Sequence, residues 1–372
     1  MTGAAGLMQV DLELSPNEAS DLLPLDAAAL LAAHGWDAAY LTVLDEGPVE
    51  RCIALLGHSA GDAVDTGWTS RRLAFSPVSG SGSTADAESL AVHDGRVHVV
   101  GSHFGPKGGP VLPDRQFVAR FAMAEVAAAI DRGRPALEIA PTAFFLHRAV
   151  NDALAGAADL LPLAPQAREA FVGAARRQAA QRGEPWRHQL HPGDHPINVE
   201  GAAFGPEGRL VLGLRFPPTA DGHALLVEVD DADAFFGGPG KAPRCVAVWV
   251  LGGVGAPHAP VGVRALHHAG DGVFDVVTGC LDERGAPLLG GRDEGARAGC
   301  SHWRFGLPPG AGGGTLRASL VHDFGALDHV EGVATGPDGA PLYVVDADGH
   351  VDLRFLRSGG GRPKGLDPTR AG

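Results

Sequence analysis

The chain has 372 residues, of which 45% are hydrophobic and 20% are charged, a balance typical of a globular protein and not of a disordered one. Its formal net charge of −14 argues against non-specific binding to nucleic acid or to an anionic membrane surface, because lysine and arginine supply that attraction. No apolar stretch is long enough for an ordinary transmembrane helix, and the N-terminal residues lack the pattern of a signal peptide, so we expect a cytoplasmic protein. The 54 glycines and 28 prolines favour many short strands joined by tight turns.

The first motif along the chain is G-x-S-x-G at residues 57–61, with Ser59 at its centre. This is the pattern of a nucleophile elbow, which needs a helix directly after the serine and oxyanion donors from an earlier loop. Residues 62–77 contain Gly67 and no apolar period of 3.6 residues. We therefore interpret Ser59 as a loop serine and keep a Ser59 esterase only as an alternative.

Three hairpin-like segments recur farther along the chain, and each opens with a glutamate, at Glu88, Glu200 and Glu331. Each continues through a short apolar strand and an acid-Gly turn into a returning strand, and a fourth relative carries Arg264 near its start. Glu200, Arg264 and Glu331 are spaced by 64 and 67 residues. A standard blade repeat is about 40–50 residues, so these intervals require long loops or two short blades each. We predict an all-β fold, a β-propeller with six blades and a range of five to seven.

Residues 144–182 are the exception, because they are rich in alanine and leucine at helical spacing and are interrupted at Pro162 and Pro165. We predict two helices inserted between blades. The C-terminal segment 357–372 is rich in glycine, proline and arginine and has too little apolar surface to pack, so we expect a flexible tail. The predicted organisation is one propeller domain over residues 1–356 followed by this tail.

The stretch 86–121 resembles a bacterial β-propeller family catalogued as a domain of unknown function. The residues that match its acid-Glu strand, G-S-H signature, Lys-Gly loop and following arginine are Asp86, Glu88, Ser102, His103, Lys107 and Arg115. A second signature is matched by Asn198, Glu200, Gly213 and Arg215. The similarity extends over about residues 86–348, and in the N-terminal blade it is confined to 38–47, with Asp45 and Glu46. More distantly, the E-G hairpins are similar to calcium-dependent lactonase and esterase-like phytase propellers. The resemblance implies the propeller fold more directly than it implies an activity.

If the three glutamates occupy equivalent positions in their blades, they approach one another at the mouth of the central channel. Carboxylates that face a common space repel unless a cation lies between them, basic side chains pair with them, or some keep a proton. Oxygen-rich ligand sets favour Ca²⁺ or Mg²⁺ over zinc. The predicted ligands of a divalent cation are Glu88, Asn198, Glu200, Glu331 and Asp346.

A bound divalent ion could polarise a carbonyl or phosphoryl oxygen and orient a water for attack. The predicted catalytic residues are His103, Glu200 and Arg215. The predicted substrate-binding residues are Lys107, Arg115 and Arg264. The hypothesis is therefore a calcium- or magnesium-dependent hydrolase of a lactone, carboxyl ester or phosphoester, with a small-molecule substrate and no nucleic-acid or membrane partner.

The alternative is a non-enzymatic propeller that binds a protein or a small ligand. On this interpretation the repeated glutamates hold neighbouring blades together, and the glycine of an E-G pair permits close approach of the next blade. Arg215 and His103 would then satisfy the glutamate side chains. The substrate, the blade count and the oligomeric state do not follow from the sequence.

Overall fold

The computed structural model describes residues 7–14, 18–79, 83–237, 243–281, 288, 299–310, 312–347 and 350–356. The strands are β1 (Leu7–Glu13), β2 (Ala19–Pro24), β3 (Trp36–Leu44), β4 (Ile53–Ser59), β5 (Trp68–Leu73), β6 (Ser76–Ser79), β7 (Ala87–His93), β8 (Arg96–Gly101), β9 (Phe117–Ala122), β10 (Ala136–Pro141), β11 (Asn198–Phe204), β12 (Leu210–Phe216), β13 (Leu225–Asp230), β14 (Arg244–Gly252), β15 (Val261–Gly270), β16 (Val273–Cys280), β17 (Ser301–Gly306), β18 (Gly314–Arg317), β19 (Ser319–Asp323), β20 (Val330–Thr335), β21 (Pro341–Ala347) and β22 (His350–Leu356). The α-helices are α1 (Ala28–His34), α2 (Val126–Ile130), α3 (Phe145–Ala155), α4 (Pro165–Arg168) and α5 (Ala174–Arg182), with a π-helical turn at Glu169–Gly173. Short 3₁₀ turns lie at Val49–Arg51, Pro113–Arg115, Met123–Glu125, Pro185–Gln189 and Ala232–Phe236.

Within the described ranges the strands form five sheets of four or five strands each. Written from the inside outwards, the sheets are β2-β3-β4-β5, β7-β8-β9-β10-β6, β11-β12-β13-β14-β18, β15-β16-β17-β19 and β20-β21-β22-β1. The five innermost strands contact one another in circular order, and β20 contacts β2 to complete the ring. This arrangement is a β-propeller. It has five sheets where the repeat spacing favoured six, because each long interval between repeats holds a single innermost strand.

The N-terminal strand β1 belongs to the last sheet of the ring. It pairs antiparallel with β22, and the register joins Leu7 to Leu356 and Glu13 to His350. The two ends of the described chain therefore lie in one sheet, which holds the first and last blades together.

Every innermost strand is irregular at the position that the sequence repeat marks. The pairing register shifts around Glu88, Glu200, Arg264 and Glu331, and β2 has its own irregularity around Asp21. A β-bulge leaves one residue out of the ladder and re-aims its side chain. The repeat therefore marks a bulge in four sheets, and the fifth has an aspartate there.

The glycine after two of these glutamates lets adjacent sheets approach closely. A Cβ atom at Gly201 would lie 2.8 Å from the Cβ of Leu266, and one at Gly332 would lie 2.8 Å from the carbonyl carbon of Asp21. Both neighbours belong to the innermost strand of the next sheet, so a larger residue would force two blades apart.

The core lies between neighbouring sheets, and it explains why the inner strands are continuously apolar. Every residue of β11 and β12 is buried, as expected for strands that are covered on both faces. Between the third and fourth sheets, Leu226, Val263 and Phe274 are among the buried residues of one apolar cluster.

The helices expected within 144–182 are present as α3 and the α4–α5 pair. Arg148 on α3 donates to Asp194 Oδ1 at 2.7 Å, which fixes the helix to the loop that leads into β11. None of the described helices is long and apolar enough to cross a membrane. The predicted tail 357–372 lies outside the described residues.

Ser59 is the last residue of β4, and its Oγ donates to the carbonyl oxygen of Gly67 at 3.0 Å. The neighbouring His58 has Nδ1 at 2.6 Å from Asp37 Oδ1 and Nε2 at 3.1 Å from the carbonyl oxygen of Ala63. Residues 60–67, all described, form turns and bends and no helix. The local geometry therefore lacks the strand-to-helix turn of a nucleophile elbow.

Candidate functional site

A cavity of about 330 Å³ lies at one mouth of the channel, where the innermost strands begin and the second strands end. Its acidic lining residues are Glu18, Asp45, Asp86, Glu88, Glu200, Glu331 and Asp346. Its basic and amide lining residues are Lys107, Arg115, Asn198 and Arg215. Its other lining residues are Phe104, Gly105, Pro106, Phe171, Phe216, Leu281 and Leu288.

Most of the site residues predicted from the sequence meet in this cavity. Those that line it are Glu88, Lys107, Arg115, Asn198, Glu200, Arg215, Glu331 and Asp346. Arg264 does not line the cavity but contacts two of its glutamates, and His103 is placed elsewhere. Glu18 was missed, and Asp45 and Asp86 were noted only as matches to the family pattern. Backbone hydrogen bonds join these three residues. The Asp45 N–H donates to the carbonyl oxygen of Glu18 at 3.2 Å, and the Asp86 N–H donates to the carbonyl oxygen of Asp45 at 3.0 Å.

Arginines neutralise three of the carboxylates. Arg115 Nη1 lies 2.5 Å from Asp86 Oδ2. Arg215 Nη1 lies 2.6 Å from Glu200 Oε1, which also accepts a hydrogen bond from Asn198 Nδ2 at 3.1 Å. The third pair is made by Arg264 with Glu331.

Arg264 is the bulge residue of β15 and is only 3% exposed. Its Nη1 lies 3.5 Å from Glu200 Oε2, and its Nη2 forms an ion pair with Glu331 Oε1. Although burial opposes its charge, these two carboxylates raise the pKa of Arg264 well above its usual range. It is therefore a permanent cation between the third and fifth sheets. The returning strand has Gly279 at the matching position, and a Cβ there would lie 3.2 Å from Arg264 Cγ.

Three other lining carboxyls, those of Asp45, Asp346 and Glu88, hold protons more tightly than usual. Burial, reinforced by Glu18 and Glu331, raises the pKa of Asp45 to about 7. Burial, reinforced by Glu331 and Asp45, also raises the pKa of Asp346 to about 7. The pKa of Glu88 is raised well above its usual range by burial and then by the surrounding carboxylates. The basic side chains at the site are Lys107, Arg115 and Arg215, which line the cavity, and the adjacent Arg264. If all seven lining carboxylates were ionised, they would exceed these four positive charges by three.

At the edge of the cavity, two of its lining carboxylates and one adjacent histidine have the geometry of a cation site. His329, Glu331 and Asp346 each offer a ligand atom, and these atoms all lie within 4.8 Å of one another. His329 was not predicted. It lies in the loop directly before β20, and the Asp346 N–H donates to its carbonyl oxygen at 2.9 Å. The signal in the sequence was the H-x-E spacing ahead of the third repeat.

His103 shares its offset from the repeated glutamate with Arg215 and Asp346, but it points away from the cavity. It takes a left-handed backbone conformation with φ of 57°. Its Nδ1 lies 2.8 Å from the carbonyl oxygen of Gly101, and its Nε2 lies 3.2 Å from Thr142 Oγ1. Burial lowers the pKa of His103 to about 4, so the ring is neutral at physiological pH. The described geometry gives His103 a packing and hydrogen-bonding environment, not a position at the reacting centre.

The cavity also has an aromatic wall, made by Phe104 and Phe171, whose ring centroids lie 4.8 Å apart with their planes at 29°. Phe216 and Leu281 line the cavity too and belong to the same apolar cluster as Phe171. Phe171 comes from the π-helical turn of the insertion. The helices therefore build one wall of the cavity, a contribution that the sequence did not indicate.

No protein-family model and no curated protein matches the chain. Several solved structures are similar to it. A mannose phosphorylase from Leishmania mexicana is 11% identical over 93% of this chain and 86% of its own, with a TM-score of 0.41. The WD40 β-propeller domain of Doa1 is 9% identical over 96% and 99%, with a TM-score of 0.32. An extracellular domain of a one-component system from B. thetaiotaomicron is 8% identical over 94% of this chain, with a TM-score of 0.33, and the chain spans 40% of its length.

These similarities are too distant to add to what the sheets themselves define. The class of the protein follows from its own fold and site: it is a β-propeller with an acidic cavity at one mouth of its channel. Its membership of the family that the sequence resembles stays a prediction.

Proposed function

We propose that this cavity binds a divalent cation, calcium or magnesium, and uses it to hydrolyse an ester bond. The observation that carries the proposal is the convergence of His329, Glu331 and Asp346 ligand atoms within 4.8 Å. Glu331 and Asp346 also line the cavity with its excess carboxylates. Calcium takes six to eight mostly oxygen ligands in flexible geometry, and magnesium keeps several waters beside one or two carboxylates.

The proposed ligand set differs from the one expected from the sequence. Glu200 Oε1 accepts hydrogen bonds from Asn198 Nδ2 and Arg215 Nη1, so in this proposal Glu200 and Asn198 support the site beside the three ligands. Glu331 also touches Arg264 and accepts from Ser20 Oγ at 3.1 Å, but a carboxylate offers about four lone-pair positions and can still bind a cation.

Asp45 is the group best placed to act beside the ion. Its Oδ1 is buried and has no hydrogen-bond partner among the described residues, and its charge interacts with those of Glu331 and Asp346. The cation would polarise the ester carbonyl while Asp45 takes a proton from the attacking water. The new C–O bond forms from water, the ester C–O bond breaks, and the leaving alkoxide recovers the proton. The products are one acid and one alcohol.

Cation titration tests this proposal. Protein stripped with a chelator should bind Ca²⁺ or Mg²⁺ in calorimetry, and its Tm should rise when the ion is added. Asp346→Asn should weaken binding at least about tenfold, which corresponds to about 1.4 kcal/mol. Asp152→Asn is the matched control, because Asp152 is an exposed carboxylate on α3 outside the cavity. Failure of both ions to bind or stabilise the protein would contradict the cation site.

The second candidate function is non-enzymatic ligand binding, and one observation favours it. Arg264 joins Glu200 of the third sheet to Glu331 of the fifth, which is what glutamates that hold blades together would do. Calcium binding without cation-dependent turnover of p-nitrophenyl acetate, p-nitrophenyl butyrate or p-nitrophenyl phosphate would favour this function over the hydrolase.

A further inference from the structure

We infer that the cavity takes an uncharged carboxyl ester with an apolar acyl or aryl group and rejects phosphate esters. The inference deepens the proposed function and rests on it, because the cation provides the contact to the ester carbonyl. It removes the phosphoester from the three substrate classes that the sequence left open.

The first argument is charge. The seven lining carboxylates exceed the four basic side chains, counting Arg264, by three. One divalent ion offsets two of these charges, and the proton that Glu88 holds removes the third, so the wall is close to neutral with the ion bound. A phosphate monoester carries about two negative charges near neutral pH, and a nearly neutral wall does not compensate them on burial.

The second argument is that the arginines are already engaged. Arg115 is bound to Asp86, Arg215 to Glu200, and Arg264 to both Glu200 and Glu331. A phosphate usually depends on arginine for bidentate hydrogen bonds. Here it would have to displace a carboxylate from a short contact, and the displaced carboxylate would remain in the same cavity.

The third argument is the aromatic wall. Phe104 is half-buried, so part of its ring faces the cavity, and it stacks on the fully buried Phe171. Phe216 and Leu281 line the cavity and belong to the same apolar cluster. A pocket lined by convergent polar groups and by a cluster of apolar side chains orients a ligand that carries both kinds of group.

The wall is packed against the loop that carries Lys107. Gly109, in the loop that carries Lys107, has φ of 73°, and a Cβ there would lie 2.5 Å from the carbonyl oxygen of Ala170 in the π-helical turn. The Val111 N–H also donates to the carbonyl oxygen of Phe171 at 3.3 Å. The loop and the inserted helices therefore form one packed unit beside the carboxylates.

Calorimetry on the full, calcium-loaded chain tests the inference without requiring turnover. The probes are N-butyl phenylacetamide, an uncharged amide that mimics the ester, and phenyl phosphate. We expect the amide to bind at least tenfold more tightly. Phe104→Ser should weaken amide binding about tenfold, while Phe104→Leu should retain most of it. Phe236→Ser is the matched control, because Phe236 is a half-buried phenylalanine that does not line the cavity.

Equal or tighter binding of phenyl phosphate, or amide binding that Phe104→Ser leaves unchanged, would overturn the inference. Melting curves of each variant show whether the fold is intact. The proposed function is tested by different measurements. Absence of cation binding or absence of ester turnover would contradict it. If calcium does not bind, the same comparison in the ion-free protein still decides the substrate class, because the wall is then more negative.

Discussion

Asp45 shows how much of the chemistry of this cavity depends on one side chain. It follows β3 directly, and backbone hydrogen bonds fix it between Glu18 and Asp86. Burial and the surrounding carboxylates raise its pKa to about 7, so at neutral pH it sits between its two charge states. A carboxyl in that position exchanges a proton for a cation at little electrostatic cost, and with water nearby it can act as a general base.

Arg264 carries the first prediction at this scale. Arg264→Met should lower the free energy of unfolding by about 3–5 kcal/mol, because it leaves Glu200 and Glu331 without their shared cation in a buried site. Urea denaturation in the presence of chelator measures this. Arg244→Met is the control: Arg244 pairs with Asp230 on the surface, and we expect a change within about 0.5 kcal/mol. A loss below about 1 kcal/mol for Arg264→Met would show that the glutamates do not need this arginine.

At the scale of the strand, the bulge and the following glycine act as one device. The bulge turns the glutamate toward the channel, and the glycine allows the next sheet to pack against the strand. In β11 and β20, the residue whose side chain enters the site and the residue that permits blade packing are therefore adjacent in sequence.

Gly201→Ala tests this device. The added methyl group would meet the Leu266 side chain at 2.8 Å, so we expect a loss of about 1–3 kcal/mol in unfolding free energy from overpacking. Gly306→Ala in β17 is the matched change, since a Cβ there meets nothing within 4 Å. That control should be neutral or slightly stabilising, because alanine loses less backbone entropy than glycine on folding. Equal effects of the two changes would refute the close-approach role.

The repeat pattern predicted the cavity residues that lie on the innermost strands better than it predicted those in the adjoining loops. Glu88, Glu200 and Glu331 were found because a bulge recurs at the same place in each hairpin. Glu18 and His329 were missed because they lie in loops before the strands, outside the repeat. The catalytic role predicted for His103 is not supported by its position. Its left-handed φ turns the ring toward Thr142, and a constant sequence offset does not reveal such a backbone change.

The described residues form five sheets, the lower end of the predicted range of five to seven, for a physical reason that also belongs to the whole ring. The outer strand β18 follows β17 in sequence but pairs with β14 of an earlier sheet. One blade therefore contains more residues than a simple four-stranded repeat. The insertion lengthens another interval. Hairpin patterns in the sequence locate innermost strands well, but they do not indicate how many residues the outer strands and loops of a blade contain.

The pH dependence of stability is a property of the whole molecule. Asp45 and Asp346 have a pKa of about 7 in the folded chain against 3.8 ordinarily, so their contribution to stability is full below pH 3.8 and is lost as the pH rises through about 7. Burial lowers the pKa of His98, His103 and His267 to about 4, which acts in the opposite direction but only below about pH 6.5. Of these five groups, only Asp45 and Asp346 therefore change the stability with pH between pH 6.5 and 8.

We therefore expect the Tm in chelator to fall between pH 6.5 and 8, and the fall to shrink when calcium replaces the protons. Asp45→Asn should reduce the slope, while Asp152→Asn should not. Calorimetry in buffers of different ionisation enthalpy should show proton release on calcium binding near pH 7. A rising Tm over this interval in chelator, or calcium binding without proton release, would contradict this account.

The pairing of β1 with β22 has a consequence for the order in which the ring is made. A ribosome synthesises β1 first of the described strands, whereas its partner β22 emerges last. Throughout translation β1 must remain without its ladder, and an unpaired strand is a template for the wrong partner. A nascent chain that stalls before His350 leaves β1 with no site in the ring. Ring closure therefore waits for β22, and products that lack it should be recognisable to chaperones and proteases by the exposed, alternating strand β1.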